Sequence, residues 1–108
     1  MKDLTEYLKK AFEFKNNGDY KKSIDYFYKA LALDNESAEI MTELAILHSK
    51  LCQYDRAISF YEQIISLNPE NFSVQLQYAM LLKTIKEYKH SEEILLNLYD
   101  KEYELEKV

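Results

Sequence analysis

Apolar side chains at the start of the chain recur at helical spacing: Leu4, Tyr7, Leu8, Ala11, Phe12 and Phe14 fall three or four residues apart. The polar run Asn16-Asn17-Gly18-Asp19 interrupts them, and Ile24, Phe27, Tyr28 and Leu31 resume the pattern. The reading is a helix, a tight turn and a second helix. Gly18, the only glycine of the chain, suits the left-handed conformation that ends a helix, and Asp19 suits the cap of the next one.

The pattern repeats. Tyr20, Tyr54 and Tyr88 stand thirty-four residues apart, and the same shift superposes Ala11, Ala45 and Ala79, then Ser23, Ala57 and Ser91. It also aligns Phe27 with Tyr61 and Leu95, and Ala30 with Ile64 and Leu98, without insertion or deletion. A fixed period of this size denotes one supersecondary unit that stacks on its copies because it cannot bury its apolar face alone. Helices are predicted over 4–17, 21–34, 38–51, 55–67, 72–85 and 89–104, giving repeats of about 4–37, 38–71 and 72–105 in a single all-α domain, 1–108. Cys52-Gln53 and Lys86-Glu87 replace Gly18-Asp19 in the later turns, which predicts strain or a different turn shape there. Pro69 is expected in the first turn of the fifth helix.

Composition removes several functional classes. A net charge of −5 opposes nucleic-acid binding, which needs a basic face to displace phosphate counterions. One cysteine, Cys52, excludes an internal disulfide and fits a reducing compartment. No stretch reaches the apolar length of a membrane span, and MKDLTEYLKK lacks the apolar run of a signal peptide. The expectation is a cytoplasmic protein.

Candidate chemistry is sparse. His48 and His90 are 42 residues apart on different kinds of helix, so no metal site is expected, and Cys52 has no second cysteine beside it. One glycine cannot build a phosphate-cradling loop. Glu92-Glu93 and the run Glu102, Glu104, Glu106 read as solvated faces. No catalytic residue, cofactor or metal is assigned, and the protein is not expected to be an enzyme.

The segments GDYKKSIDYFYKALALD and YDRAISFYEQIISLNPEN resemble the second half of the tetratricopeptide repeat. The resemblance covers nearly the whole chain, with departures at Lys10, Ser23, Gln75 and Ser91 and at the missing terminator near Glu102-Tyr103. It implies six antiparallel helices in a short right-handed superhelical solenoid. It also implies a concave groove, lined by the first helix of each pair, that holds a peptide or protein segment without chemistry. Carried onto this chain, the groove side comprises Thr5, Leu8, Lys9, Phe12, Lys15 and Asn16 in the first repeat. In the second it comprises Glu39, Thr42, Glu43, Ile46, Ser49 and Lys50, and in the third Ser73, Leu76, Gln77, Met80, Lys83 and Thr84. The binding set is Leu8, Phe12, Ile46, Leu76 and Met80 as apolar anchors, with Lys15, Lys50 and Lys83 as a basic edge that favours acidic flanks in the ligand. Family members that clamp the C-terminal carboxylate of heat-shock chaperones use cations and asparagines where this chain has Leu8, Phe12, Glu43, Ser73 and Gln77. That partner is therefore not expected.

Two alternatives accompany the groove. The repeats could assemble with copies of themselves, or they could be the interaction domain of a longer protein whose activity lies elsewhere. Leu82, Leu95, Leu98 and Tyr99 would lack a covering helix after the third repeat. Continuation of the chain, a symmetric homo-oligomer, or Tyr103 and Leu105 folding back would shield them.

Overall fold

The structure, a computed structural model, describes residues 3–107, with side chains over residues 3–101. Six helices follow in order: α1 (Leu4–Asn16), α2 (Tyr20–Leu33), α3 (Ala38–Lys50), α4 (Tyr54–Leu67), α5 (Phe72–Thr84) and α6 (Tyr88–Lys107). No strand occurs among the described residues. The sequence-predicted bounds agree within one residue except at the end of α6, which runs three residues further.

Side-chain caps set the helix starts. Asp3 accepts from the Glu6 amide at 2.9 Å, Asp19 from Lys22 at 3.3 Å, Ser37 from Ile40 at 3.2 Å and Asn71 from Val74 at 3.3 Å, each satisfying an amide that the first turn leaves open. The helix ends within each pair share one device. The Asp19 amide donates to the Phe14 carbonyl at 2.9 Å, Gln53 to His48 at 2.8 Å and Glu87 to Leu82 at 2.8 Å. One residue earlier, Gly18 donates to Lys15, Cys52 to Ser49 and Lys86 to Lys83. These paired bonds form a Schellman motif, which requires a left-handed residue, and Gly18, Cys52 and Lys86 have φ of 80°, 60° and 69°. The predicted strain is present, while the turn shape is conserved. Cys52→Gly is therefore expected to raise stability by about 0.5–1 kcal/mol by relieving the left-handed conformation; an unchanged denaturation midpoint would contradict this.

Pro69 is not in the first turn of α5. It sits at the second position of a turn closed by the Asn71 amide on the Asn68 carbonyl at 3.1 Å, with the Asn68 side chain accepting from Glu70 at 3.1 Å. Proline's fixed φ suits that position as well as a helix start. The equivalent turn after α2 closes from Ser37 to Asp34 at 3.2 Å without a proline.

Contacts divide the chain into two compact units, Met1–Gln63 and Ile64–Val108. In the first, α1 packs on α2 and α2 on α3, and Ala11, Phe27, Ala30, Leu44, Ala45, Leu47 and Ala57 have no exposed surface. Ser23 departs from the family's alanine for a visible reason: its hydroxyl donates to the Ala11 carbonyl at 2.7 Å, tying α2 to α1. Tyr26 collects the outer side chains, with Phe14 stacked at 5.6 Å and the Lys10 and Lys29 ammonium groups 5.8 and 4.7 Å from its ring centre. Lys10 thereby covers an aromatic of α2.

His48 joins α2, α3 and the α3–α4 turn. Gln53 Oε1 lies 2.6 Å from its Nδ1, so in the neutral form the proton sits on Nδ1 and Nε2 accepts from the Tyr28 hydroxyl at 2.9 Å. Burial pushes the Tyr28 hydroxyl above the ordinary phenol range, with the Arg56 charge partly opposing, which keeps it a donor. Phe60 stacks on the imidazole at 6.1 Å. This histidine is a satisfied core residue.

In the second unit α5 packs on α6. Ser91 repeats the Ser23 contact, donating to the Ala79 carbonyl at 2.8 Å. Gln75, where the family prefers an aromatic, is buried and donates from Nε2 to the Pro69 carbonyl at 2.6 Å. Leu82 is 2% exposed. The expectation that it lacks cover is incorrect, because it lies on the side of α5 that faces the hairpin core and not on its outer side. Tyr88, in register with Tyr20 and Tyr54, is 58% exposed. The side chains of Tyr103 and Leu105 lie outside the described residues.

Candidate functional site: an apolar hollow with a carboxylate rim

The first unit carries a hollow of about 430 Å³ between α1, α2 and α3. Leu4, Leu8, Phe12, Phe27 and Ile40 make its apolar wall. The spacing of Leu4, Leu8 and Phe12 places them on one side of α1. Phe12 is 41% exposed, and its ring meets Phe27 edge-on at 5.1 Å and 88°. Phe27 is fully buried and so holds the Phe12 ring at the rim.

Asp34, Ser37, Glu39 and Glu43 complete the lining. Asp34 and Ser37 come from the α2–α3 turn, and Glu39 and Glu43 stand one turn apart on α3. Lys15 pairs with Glu43 at 2.6 Å, so it is not the free cation that a basic edge requires. No other ion pair reaches these carboxylates among the described residues. Lys50 is exposed with its ammonium 5.3 Å from the Tyr20 ring centre. Ile46 is half-buried, and the Ser49 hydroxyl is shielded from solvent with no hydrogen-bond partner among the described residues.

On the second unit, Leu76 and Met80 are 47% and 61% exposed on α5, and Lys83 is exposed. Leu76 also borders a second hollow, of about 390 Å³, with Phe72, Ser73, Leu95, Leu98 and Tyr99. Leu95 and Tyr99 are exposed and Leu98 half-buried. Leu96, which the sequence reading did not single out, is exposed as well. Among the described residues no three His, Cys, Asp or Glu side chains are grouped as a metal site, and no helix is long and apolar enough to cross a membrane.

The sequence reading placed Leu8, Phe12, Glu39 and Glu43 on the groove side, and the structure brings all four to one hollow. It missed Asp34, read as the last residue of the predicted helix 21–34, and Ser37, which falls between that helix and the next. Their signal was the turn's acidity next to an apolar stretch.

Comparison with known proteins agrees with this architecture. Residues 16–64 match the family model described as tetratricopeptide repeat. Over 71 residues the chain is 27% identical to the photosystem I assembly protein Ycf3 of Rippkaea orientalis, a match covering 63% of this chain and 41% of that protein. The chain thus spans about two fifths of the curated relatives first matched. Among solved structures, the type III secretion translocator chaperone SycD of Yersinia enterocolitica superposes with a TM-score of 0.80 at 21% identity, covering 90% of this chain and 72% of that one. The TPR2B domain of yeast Sti1, solved as a complex with pHsp70, superposes with a TM-score of 0.80 at 19% identity, covering 96% and 83%. At these identities the likeness establishes the fold alone: all-α helix pairs like those of tetratricopeptide-repeat proteins.

Proposed function

We propose that this tetratricopeptide-repeat chain is a non-catalytic scaffold that holds a peptide or protein segment against the first helices of its repeats. The observation that carries the reading is the exposure of Phe12 on α1 and of Leu76 and Met80 on α5, large apolar side chains at groove-side positions. Water-exposed apolar area of this kind is costly to maintain and marks contact surfaces. Ycf3 is named for assembly of photosystem I and SycD as a translocator chaperone; both names describe proteins that handle other proteins, and we extend that role to this chain. We place its action in the cytoplasm, in keeping with the exposed free thiol of Cys52.

The reading excludes a heat-shock-chaperone C-terminal carboxylate as the partner, because Leu8, Phe12, Glu43, Ser73 and Gln77 supply no cation for it. A second reading, self-assembly, is favoured by one observation: Leu95, Leu96 and Tyr99 on α6 are exposed around the second hollow.

One experiment separates the two. Proteins retained from the native cell extract by the immobilised chain should be lost with Phe12→Ala/Met80→Ala while circular dichroism stays helical, and kept with Leu95→Glu. Undiminished retention by the double variant would remove the groove reading. Self-association broken by Leu95→Glu would establish the second.

A further inference from the structure

We infer that the α1–α2–α3 hollow selects a segment of another protein that inserts one bulky apolar side chain and carries lysine or arginine beside it. This rests on the groove reading above and adds the ligand's charge. Leu8, Phe12 and Ile40 offer the anchor an apolar wall, in which Phe12 stays 41% exposed with the Lys15 ammonium 5.6 Å from its ring centre. A hollow of about 430 Å³ lies in the range that admits small ligands or one or two side chains.

The rim decides what surrounds the anchor. It carries three carboxylates, Asp34, Glu39 and Glu43, against one ammonium, Lys15, which is already bound to Glu43. Asp34 is the C-cap of α2, the end where the helix dipole disfavours an anion. Glu39 and Glu43 are like charges four residues apart on α3, a spacing that repels. The free protein thus holds negative charge that its own fold does not neutralise. A guanidinium or ammonium entering beside the anchor would relieve both repulsions and form charge-assisted hydrogen bonds. An acidic flank would meet three carboxylates. Complementarity therefore points away from the acidic ligand that Lys15, taken alone, suggests.

The test is selection from a random twelve-residue peptide library displayed on phage, panned on the 108-residue chain and sorted by loss of binding to Phe12→Ala. Leu8→Ala serves as a second sorting variant should Phe12→Ala lose helicity. Sorted clones should be severalfold enriched in Lys and Arg next to a large apolar residue. Their synthetic peptides should bind Glu39→Lys about tenfold more weakly at low salt and lose a similar factor on the wild type when salt is raised. Sorted clones that are acidic or charge-neutral would overturn the charge inference and leave the groove reading standing. No clone sensitive to either variant would overturn both. Self-association of the chain that Phe12→Ala abolishes would make a second copy the occupant and likewise overturn the inference.

Discussion

Phe27→Ala is expected to lower the stability of the folded chain by about 3–5 kcal/mol, the usual cost of deleting a fully buried phenylalanine. Phe27 has no exposed surface and touches the Phe12 ring, so truncation opens a cavity below the hollow and removes the support of its rim. Single domains are stable by roughly 5–15 kcal/mol, and the melting temperature should fall by more than about 10 °C. Thermal unfolding followed by circular dichroism measures it. A fall of under about 3 °C would show that Phe27 does not hold α1, α2 and α3 together.

The second large effect is expected from overpacking. In Ala11→Leu the added atoms must enter where the Ser23 hydroxyl already reaches the Ala11 carbonyl at 2.7 Å, a distance that leaves no room between α1 and α2. Ala11 is wholly buried, and the expected loss is about 1–3 kcal/mol. Ala32→Leu, at an exposed position of α2, is the matched control and should stay within about 0.5 kcal/mol of the parent. Equal midpoints for the two variants in urea would place the α1–α2 contact elsewhere.

Ala11 and Ser23 also show why the helices were legible from sequence. Close helix contacts need small residues, stop positions need left-handed backbone, and starts need capping oxygens; these are local demands, met in the first repeat by Ala11, Gly18 and Asp19, and the small residue recurs at Ala45 and Ala79. The helix bounds followed within one residue for that reason, except at the end of α6. Even the departures had local meaning, since Cys52 and Lys86 adopt positive φ where Gly18 does.

The candidate site was less legible, because its character depends on pairs distant in sequence. Lys15 and Glu43 are 28 residues apart, and no periodicity announces that the lysine is committed to the glutamate. Read along α1 alone, Lys15 is a free cation on a basic edge; read with α3, it is a counterion on an acidic rim. Leu82 failed for a related reason. An apolar residue in the third repeat looks uncovered when read along the sequence, yet its place on the hairpin side of α5 buries it. Ser23, Ser91 and Gln75 read as departures from the family pattern, but each donates to a carbonyl across a helix contact or turn, a role that becomes visible only once the acceptor's position is known.

The claim that the groove side of the repeats is the binding surface is tested most directly by nuclear magnetic resonance. The ¹⁵N-labelled 108-residue chain is titrated with a peptide selected on it, and amide shifts are followed by residue. The account expects the perturbed amides to concentrate around Leu8, Phe12, Glu39 and Glu43 on α1 and α3, and to vanish with Phe12→Ala. Perturbations confined to α6 around Leu95 and Tyr99, or spread evenly over the helices, would contradict it.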